Sequence, residues 1–214
     1  MIISHKHRFI FFAVPRTATH AVRQALRAYL DDGDWEQQAL FGEQRIPVPG
    51  IAAVRHGHIS FQQVKSNLQA ETWSSYFKFG FVRNPFDRYV STCFFLNRRN
   101  PGFAGNEAGF MRQALGNTGF RQRVLVRPQH HLLTDDNGTL TMDYVGRYES
   151  LQESFDEICR HIGLAQSKLT RKNASRHRSY ECYYDATLKQ AVAGYYRKDF
   201  ELFGYDTERI VTGP

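Results

Sequence analysis

The sequence predicts an α/β protein: a single domain over residues 1–214 in which helices flank a central parallel β-sheet. Two aromatic, β-branched runs, residues 8–14 (RFIFFAV) and 76–82 (YFKFGFV), have the composition of buried strands. Each run is followed, after a short polar segment, by apolar residues at helical spacing. Strands that alternate with helices favour a parallel sheet covered on both faces.

The first third of the chain begins with the strand at residues 8–14, which Pro15 ends. Residues 20–30 then carry apolar side chains every three to four positions among good helix formers, which predicts a helix. Residues 31–50 contain Gly, Pro and acidic residues and predict an irregular excursion. Residues 51–54 predict a short strand.

The middle of the chain holds the second strand. A short helix with a serine cap is predicted for residues 60–66, before the strand at 76–82. Asn84 then provides a cap and Pro85 suits the first helical position, which predicts a helix up to residue 97.

The remainder alternates in the same way. The patterns predict a helix at 110–115, a strand at 143–147, a helix at 150–162 ended by Gly163, a basic loop at 170–180 and a helix at 185–203.

The composition is that of a folded globular protein, with 42% apolar residues, and a net charge of +7 favours anionic partners of any kind. Three widely spaced cysteines form no CxxC pair, which fits a reducing compartment. Cys93 and Cys159 lie in apolar helical patterns and are expected to be buried. No apolar run reaches the roughly 18 residues of a membrane span, and no signal-peptide pattern is present, so we expect a cytoplasmic location.

Residues 15–20 (PRTATH) connect the first strand to the first helix. Such a turn presents free backbone N–H groups and the positive end of the helix dipole, a combination that suits an anion. Arg16, Thr17 and Thr19 add a guanidinium and two hydroxyls. The glycines and lysine of a Walker A loop are absent. An ordinary strand–helix turn with a surface arginine remains the alternative interpretation.

Residues 83–91 (RNPFDRYVS) follow the second strand. Arg83 lies at the strand end, and Ser91 lies two helical turns into the next helix on roughly the side of its start. A guanidinium and a hydroxyl that converge suit a phosphate. The alternative is that Arg83 pairs with a carboxylate and Ser91 faces solvent.

Together the two segments resemble the signature of PAPS-dependent sulfotransferases, in which a strand precedes P-[KR]-[TS]-x-[TS] and a later strand precedes RNPxxRxxS. PAPS is 3′-phosphoadenosine-5′-phosphosulfate. The resemblance implies a P-loop-like nucleotide fold, PAPS as co-substrate, PAP as product and no metal. It implies that Arg83 and Ser91 bind the 3′-phosphate, and that the 5′-phosphosulfate is bound by Arg16, Thr17, Ala18, Thr19 and His20.

Two positions depart from that pattern. Most members have lysine where Arg16 stands, and serine or threonine where His20 stands.

The segment at 143–151 (DYVGRYESL) is similar to the carbohydrate-type branch of the family. The resemblance also implies that the basic loop closes over the nucleotide, with contacts from Arg171, Asn173 and Ser175.

Residues 56–61 (HGHISF) resemble a stretch of heparan sulfate 2-O-sulfotransferases in which the second histidine is the base. An acceptor hydroxyl must lose a proton as it attacks sulfur, and a histidine pKa of about 6.5 suits this near neutral pH. We expect His58 to be the base and His56 its partner. A structural role for the two histidines, or metal ligation, are the alternatives.

The expected function is therefore transfer of a sulfuryl group from PAPS to the hydroxyl of a carbohydrate or a small glycosylated or lipid molecule. Arg16 is expected to stabilise the charge on the departing phosphate, and neither a nucleic-acid partner nor a membrane span is expected. A phosphotransferase on a related nucleotide-binding fold and a non-enzymatic polyanion-binding domain are the alternatives.

Overall fold

A computed structural model describes residues 1–38, 46–170 and 178–208 of the chain. Two short 3-10 helices, Pro101–Phe103 and Tyr180–Tyr183, accompany its strands and α-helices. In chain order these are β1 (Ile2–Ser4), β2 (Phe9–Phe12), α1 (Thr19–Arg27), β3 (Trp35–Glu36), α2 (Pro49–Ala52), α3 (Phe61–Lys65), α4 (Ala70–Ser75), β4 (Phe77–Val82), α5 (Pro85–Leu96), α6 (Glu107–Gly116), α7 (Thr118–Arg121), α8 (His130–Leu133), β5 (Tyr144–Arg147), α9 (Leu151–His161), α10 (Ala186–Tyr195) and α11 (Arg197–Phe203).

The chain divides into two compact units. The first comprises the described residues of Met1–Val82 and Gln129–Lys172 and contains all five strands. The second comprises the described residues of Arg83–Pro128 and Asn173–Pro214 and is helical. The expectation of a single domain over the full length stays a prediction.

The sheet of the first unit has the strand order β3-β1-β2-β4-β5. Strands β2, β4 and β5 are parallel, whereas β1 runs antiparallel to β2 and β3 runs antiparallel to β1. The α/β class predicted from the sequence is thus confirmed. The sheet is mixed, because two short N-terminal strands that the sequence did not predict extend its edge.

The two long predicted strands are confirmed as neighbours. β2 and β4 pair in parallel, with Phe12 opposite Gly80, so both strands end at the same edge of the sheet. In open sheets of this kind ligands bind beyond the carboxyl ends of the strands. The segments that begin at Ala13 and at Arg83 follow these two strand ends directly.

Aromatic side chains form the core of the first unit. Phe11 stacks on Phe79 with ring centroids 5.3 Å apart, and Phe155 of α9 packs in the same cluster. All three are fully buried. Burial of one such side chain contributes about 1.5–3 kcal/mol to stability. The phenylalanines of β2 and β4 therefore stabilise the packing of α9 on the sheet.

The second unit has its own core around α5. Phe86 contacts Tyr184 and Phe200, and Tyr89 packs against Tyr196. The hydroxyl of Tyr184 donates to the carbonyl of Phe86 at 2.9 Å. The C-terminal helices therefore anchor the first turns of α5 within this unit.

Most local predictions are confirmed. The side chain of Ser60 caps α3 in a capping box with Gln63, and Asn84 caps α5 by accepting from the N–H of Phe86 at 2.9 Å. Gly163 follows α9 with a positive φ of 69°. Cys93 and Cys159 are buried, as expected.

Two local predictions are wrong. The segment predicted as a strand at 51–54 contains instead the end of α2, which begins with Pro49 at a first-turn position and buries only Ile51. The single helix predicted for 185–203 is two helices, because the chain departs from helical geometry at Tyr196. The buried ring of Tyr196 places its hydroxyl 2.6 Å from the carbonyl of Val126.

No helix within residues 1–38, 46–170 and 178–208 is both long and apolar enough to cross a membrane.

Candidate active site

The loop between β2 and α1 has an unusual backbone. Arg16 and Ala18 both have positive φ, 67° and 61°, a conformation that L-residues other than glycine adopt at a cost. Single left-handed residues next to a helix start turn successive N–H groups toward one point, which makes an anion-binding concavity. Among the described residues no side chain caps α1, so its N-terminus offers N–H groups and the positive dipole end to a ligand.

The side chains of the loop divide by burial. Thr17 is fully buried and its hydroxyl donates to the carbonyl of Val14 at 2.9 Å, which closes the loop on itself. Its hydroxyl proton is thereby engaged within the protein. Arg16 and Thr19 are partly exposed and His20 is exposed.

The strain at Ala18 gives a stability prediction. Ala18→Gly is expected to raise the free energy of unfolding by up to about 1 kcal/mol, because glycine adopts positive φ without a Cβ clash. Ala28 ends the same helix at φ −62°, so Ala28→Gly is a matched control expected to lower it by about 1 kcal/mol. Urea unfolding measures both, and equal losses in the two variants would show that Ala18 is unstrained.

His58 lies beside this loop within the first unit. Its Nδ1 is 2.6 Å from the carbonyl oxygen of Ala13, the residue after β2. A carbonyl only accepts, so Nδ1 carries the proton in the neutral ring and Nε2 holds the lone pair. Within the described part of the chain Nε2 makes no hydrogen bond. The ring of His56 lies 6.1 Å from that of His58.

Burial lowers the pKa of His58 to about 3. The hydrogen bond to Ala13 opposes this effect, whereas the Met1 amino group, His56 and Arg23 add to it. The ring is therefore neutral at physiological pH and can accept a proton at Nε2. A bound anion in the loop would favour the protonated ring and so strengthen the base.

Arg83 and Ser91 lie in the second unit. Arg83 is buried and donates from Nε and Nη2 to the two carboxylate oxygens of Asp87, at 2.7 and 2.6 Å. Ser91 is fully buried on α5. Because positions 83, 87 and 91 are four residues apart, the three side chains follow one face at the start of α5.

These contacts bear on the alternative interpretation of the second segment. Arg83 does pair with a carboxylate, as that alternative holds, but Ser91 does not face solvent. A buried serine in line with a buried guanidinium is compatible with a phosphate site, and the Asp87 carboxylate fixes the guanidinium plane in advance.

Arg88 is a residue whose placement the sequence did not predict. It is fully buried, donates from Nη2 to the carbonyls of Leu125 and Arg127 at 3.3 and 2.8 Å, and lies over the ring of Tyr196. It therefore fixes the turn after α7 against α5. The sequence shows the spacing of Arg88 from Arg83 and Ser91, but only the fold shows that its side chain is buried.

Three predicted nucleotide contacts, Arg171, Asn173 and Ser175, lie outside the described residues. Across residues 1–38, 46–170 and 178–208, no three His, Cys, Asp or Glu side chains gather in a group that could hold a metal ion.

The fold is α/β, and the backbone of the loop at its first strand–helix junction has a geometry that suits an anion. A family model described as the sulfotransferase family matches residues 1–206. The chain belongs to this family, and membership supports PAPS-dependent sulfuryl transfer in general. No curated protein and no solved structure matches the chain.

Proposed function

We propose that this chain transfers a sulfuryl group from PAPS to a hydroxyl of a carbohydrate or of a small glycosylated or lipid molecule. The observation that carries this proposal is the arrangement at the end of β2. There a loop with two left-handed residues opens a helix without a side-chain cap, and the neutral imidazole of His58 bonds to the carbonyl of Ala13 in the same segment. The loop suits an anionic donor and the imidazole suits a proton acceptor.

Two segments of the chain supply the groups proposed for the donor. The loop from Arg16 to His20 offers backbone N–H groups, one guanidinium and the Thr19 hydroxyl to the 5′-phosphosulfate. Arg83 and Ser91 are the groups proposed for the 3′-phosphate, with Arg83 already oriented by Asp87. PAPS supplies an activated sulfuryl group joined to a phosphate leaving group.

The proton has a defined destination in this proposal. As the acceptor oxygen forms its bond to sulfur and the bond from sulfur to the phosphate oxygen breaks, the hydroxyl proton moves to Nε2 of His58. Nδ1–H remains bonded to Ala13, which keeps the ring in one tautomer and orientation. The electron pair of the broken bond stays on the phosphate oxygen, where the Arg16 guanidinium and the loop N–H groups stabilise it.

Thermal unfolding in the presence of nucleotides tests the proposal. PAP and AMP differ only by the 3′-phosphate, so PAP is expected to raise the melting temperature far more than AMP at equal concentration. ADP and ATP are further comparisons. Preference for ADP or ATP over PAP would favour a phosphotransferase. Weak, strongly salt-dependent stabilisation by all of them would favour a polyanion-binding domain.

A further inference from the structure

A buried polar cluster lies beneath the His56–His58 segment in the first unit. Arg23 of α1 is 6% exposed, and its Nε lies 3.0 Å from Oε1 of Glu36 on β3. Its Nη2 donates to the carbonyl of Gln37 at 3.4 Å. An almost fully buried arginine is rare unless it is paired, so this residue has been placed inside the fold at a considerable desolvation cost.

Gln37 connects that cluster to the histidine segment. It is 2% exposed, and its carboxamide Nε2 donates to the carbonyls of Ile51 and His56 at 3.1 and 3.3 Å. Its own carbonyl accepts from Arg23. The side chain and the backbone of one residue therefore bind the segment on one side and α1 on the other.

Gly57 lies in close contact with both residues. A Cβ at Gly57 would lie 2.4 Å from the carbonyl oxygen of Gln37 and 2.9 Å from Nη2 of Arg23. Any larger residue would have to displace backbone, so the segment passes directly against the guanidinium. The next residue along the chain is His58.

The charges around His58 come from several elements. Arg23 on α1, the Met1 amino group at the start of β1 and the neighbouring His56 all disfavour the protonated ring. Glu36 on β3 is bound to Arg23 and also accepts from Arg27, so its charge is shared between two guanidinium groups.

We propose that Arg23 and Gln37 are positioning residues for His58: Gln37 fixes the backbone of the histidine segment, and the Arg23 guanidinium, bound to Glu36 and to the carbonyl of Gln37, packs against Gly57 and holds that segment in place. The inference rests on the proposed role of His58 as base. Because α1 starts at Thr19 and carries Arg23 about one turn later, the same helix adjoins the loop after β2 and contacts the histidine segment.

Histidine NMR on the full chain tests the role of Arg23. With a pKa of about 3, roughly a tenth of the His58 rings are protonated at pH 4 in the wild type. In Arg23→Gln the loss of a nearby positive charge is expected to raise this protonated fraction. His58→Gln assigns the signal. An unchanged protonated fraction in a folded Arg23→Gln variant would overturn this half of the proposal.

Arg27→Gln is the matched control. Arg27 is on the same helix and binds the same carboxylate, but it is half-exposed and is not among the groups that shift His58. Its replacement is expected to leave the His58 signal at pH 4 unchanged. A rise equal to that of Arg23→Gln would mean that Glu36, and not Arg23, controls the ring, and would overturn the assignment.

Gln37→Met tests the role of Gln37. The measurement is made at neutral pH, so the variant does not have to stay folded in acid. Methionine preserves the volume but removes both hydrogen bonds to Ile51 and His56. The single Nδ1–H tautomer of His58 is expected to become a mixture in the variant, and retention of one tautomer would contradict the positioning role. These NMR measurements do not depend on enzymatic turnover. Their outcome is therefore independent of the comparison between PAP and AMP, which tests the proposed function itself.

Discussion

Replacing His58 with alanine is expected to lower kcat for sulfuryl transfer about 10²- to 10⁴-fold, the usual contribution of a positioned general base. The affinity for PAP is expected to stay unchanged, because His58 contacts the end of β2 and is assigned no role in holding the nucleotide. Steady-state transfer from PAPS to any acceptor that the wild-type chain turns over, together with calorimetric titration of PAP, measures both quantities.

His161→Ala is the matched control for this variant, since His161 lies half-exposed at the end of α9 and pairs with Glu157. It is expected to leave kcat unchanged. Retained activity in His58→Ala would assign the proton to another group, and a parallel His56→Ala variant would then identify whether His56 is that group.

The lowered pKa of His58 also sets the sign of two pH effects. The ring is neutral well below pH 6.5, so the rate should not fall between pH 7 and 5 through protonation of this residue in the free chain. The unfolded chain, with an ordinary histidine pKa near 6.5, binds this proton earlier than the folded chain. Folding stability linked to His58 is therefore full above about pH 6.5 and declines as the pH falls toward 3.

Arg83→Ala is expected to weaken PAP binding about 30- to 150-fold, because loss of a buried guanidinium that contacts a phosphate removes roughly 2–3 kcal/mol. AMP has no 3′-phosphate, so its affinity is expected to change little. Calorimetric titration of the two nucleotides measures the difference, which should largely disappear in the variant.

Asp87 complicates this variant and also supplies its control. Arg83→Ala leaves the Asp87 carboxylate without its bidentate partner, so stability without ligand must be measured alongside affinity. Asp87→Asn keeps the shape and the guanidinium but removes one of the two accepting oxygens, so its loss of PAP affinity is expected to be smaller than that of Arg83→Ala. Equal losses of PAP and AMP affinity in Arg83→Ala would indicate distortion of α5 and would contradict a 3′-phosphate contact.

The sequence predicts elements well where a local pattern is strong. The aromatic runs of β2 and β4 and the capping residues Ser60 and Asn84 each act within a few positions, and all of them are confirmed. The order of strand, loop and helix around residues 15–20 was visible for the same reason.

The missed elements and contacts depend on distant residues. β1 and β3 contain three and two residues, which is too few to show the alternation of apolar and polar residues typical of a strand. They form because β1 pairs with β2 and β3 pairs with β1. The bond from His58 to Ala13 spans 45 positions. The pairing of Arg23 with Glu36, and the pKa of His58 that burial lowers, likewise exist only in the assembled fold.

The loop after β2 has one consequence for how such sites are found. Its left-handed positions are occupied by Arg16 and Ala18, and no glycine lies between Val14 and Thr19. Searches that recognise phosphate loops by their glycine spacing pass over a turn of this kind, although two of its residues have positive φ. Surveys of protein structures that compare the sign of φ at each loop position, instead of residue identity, would retrieve it.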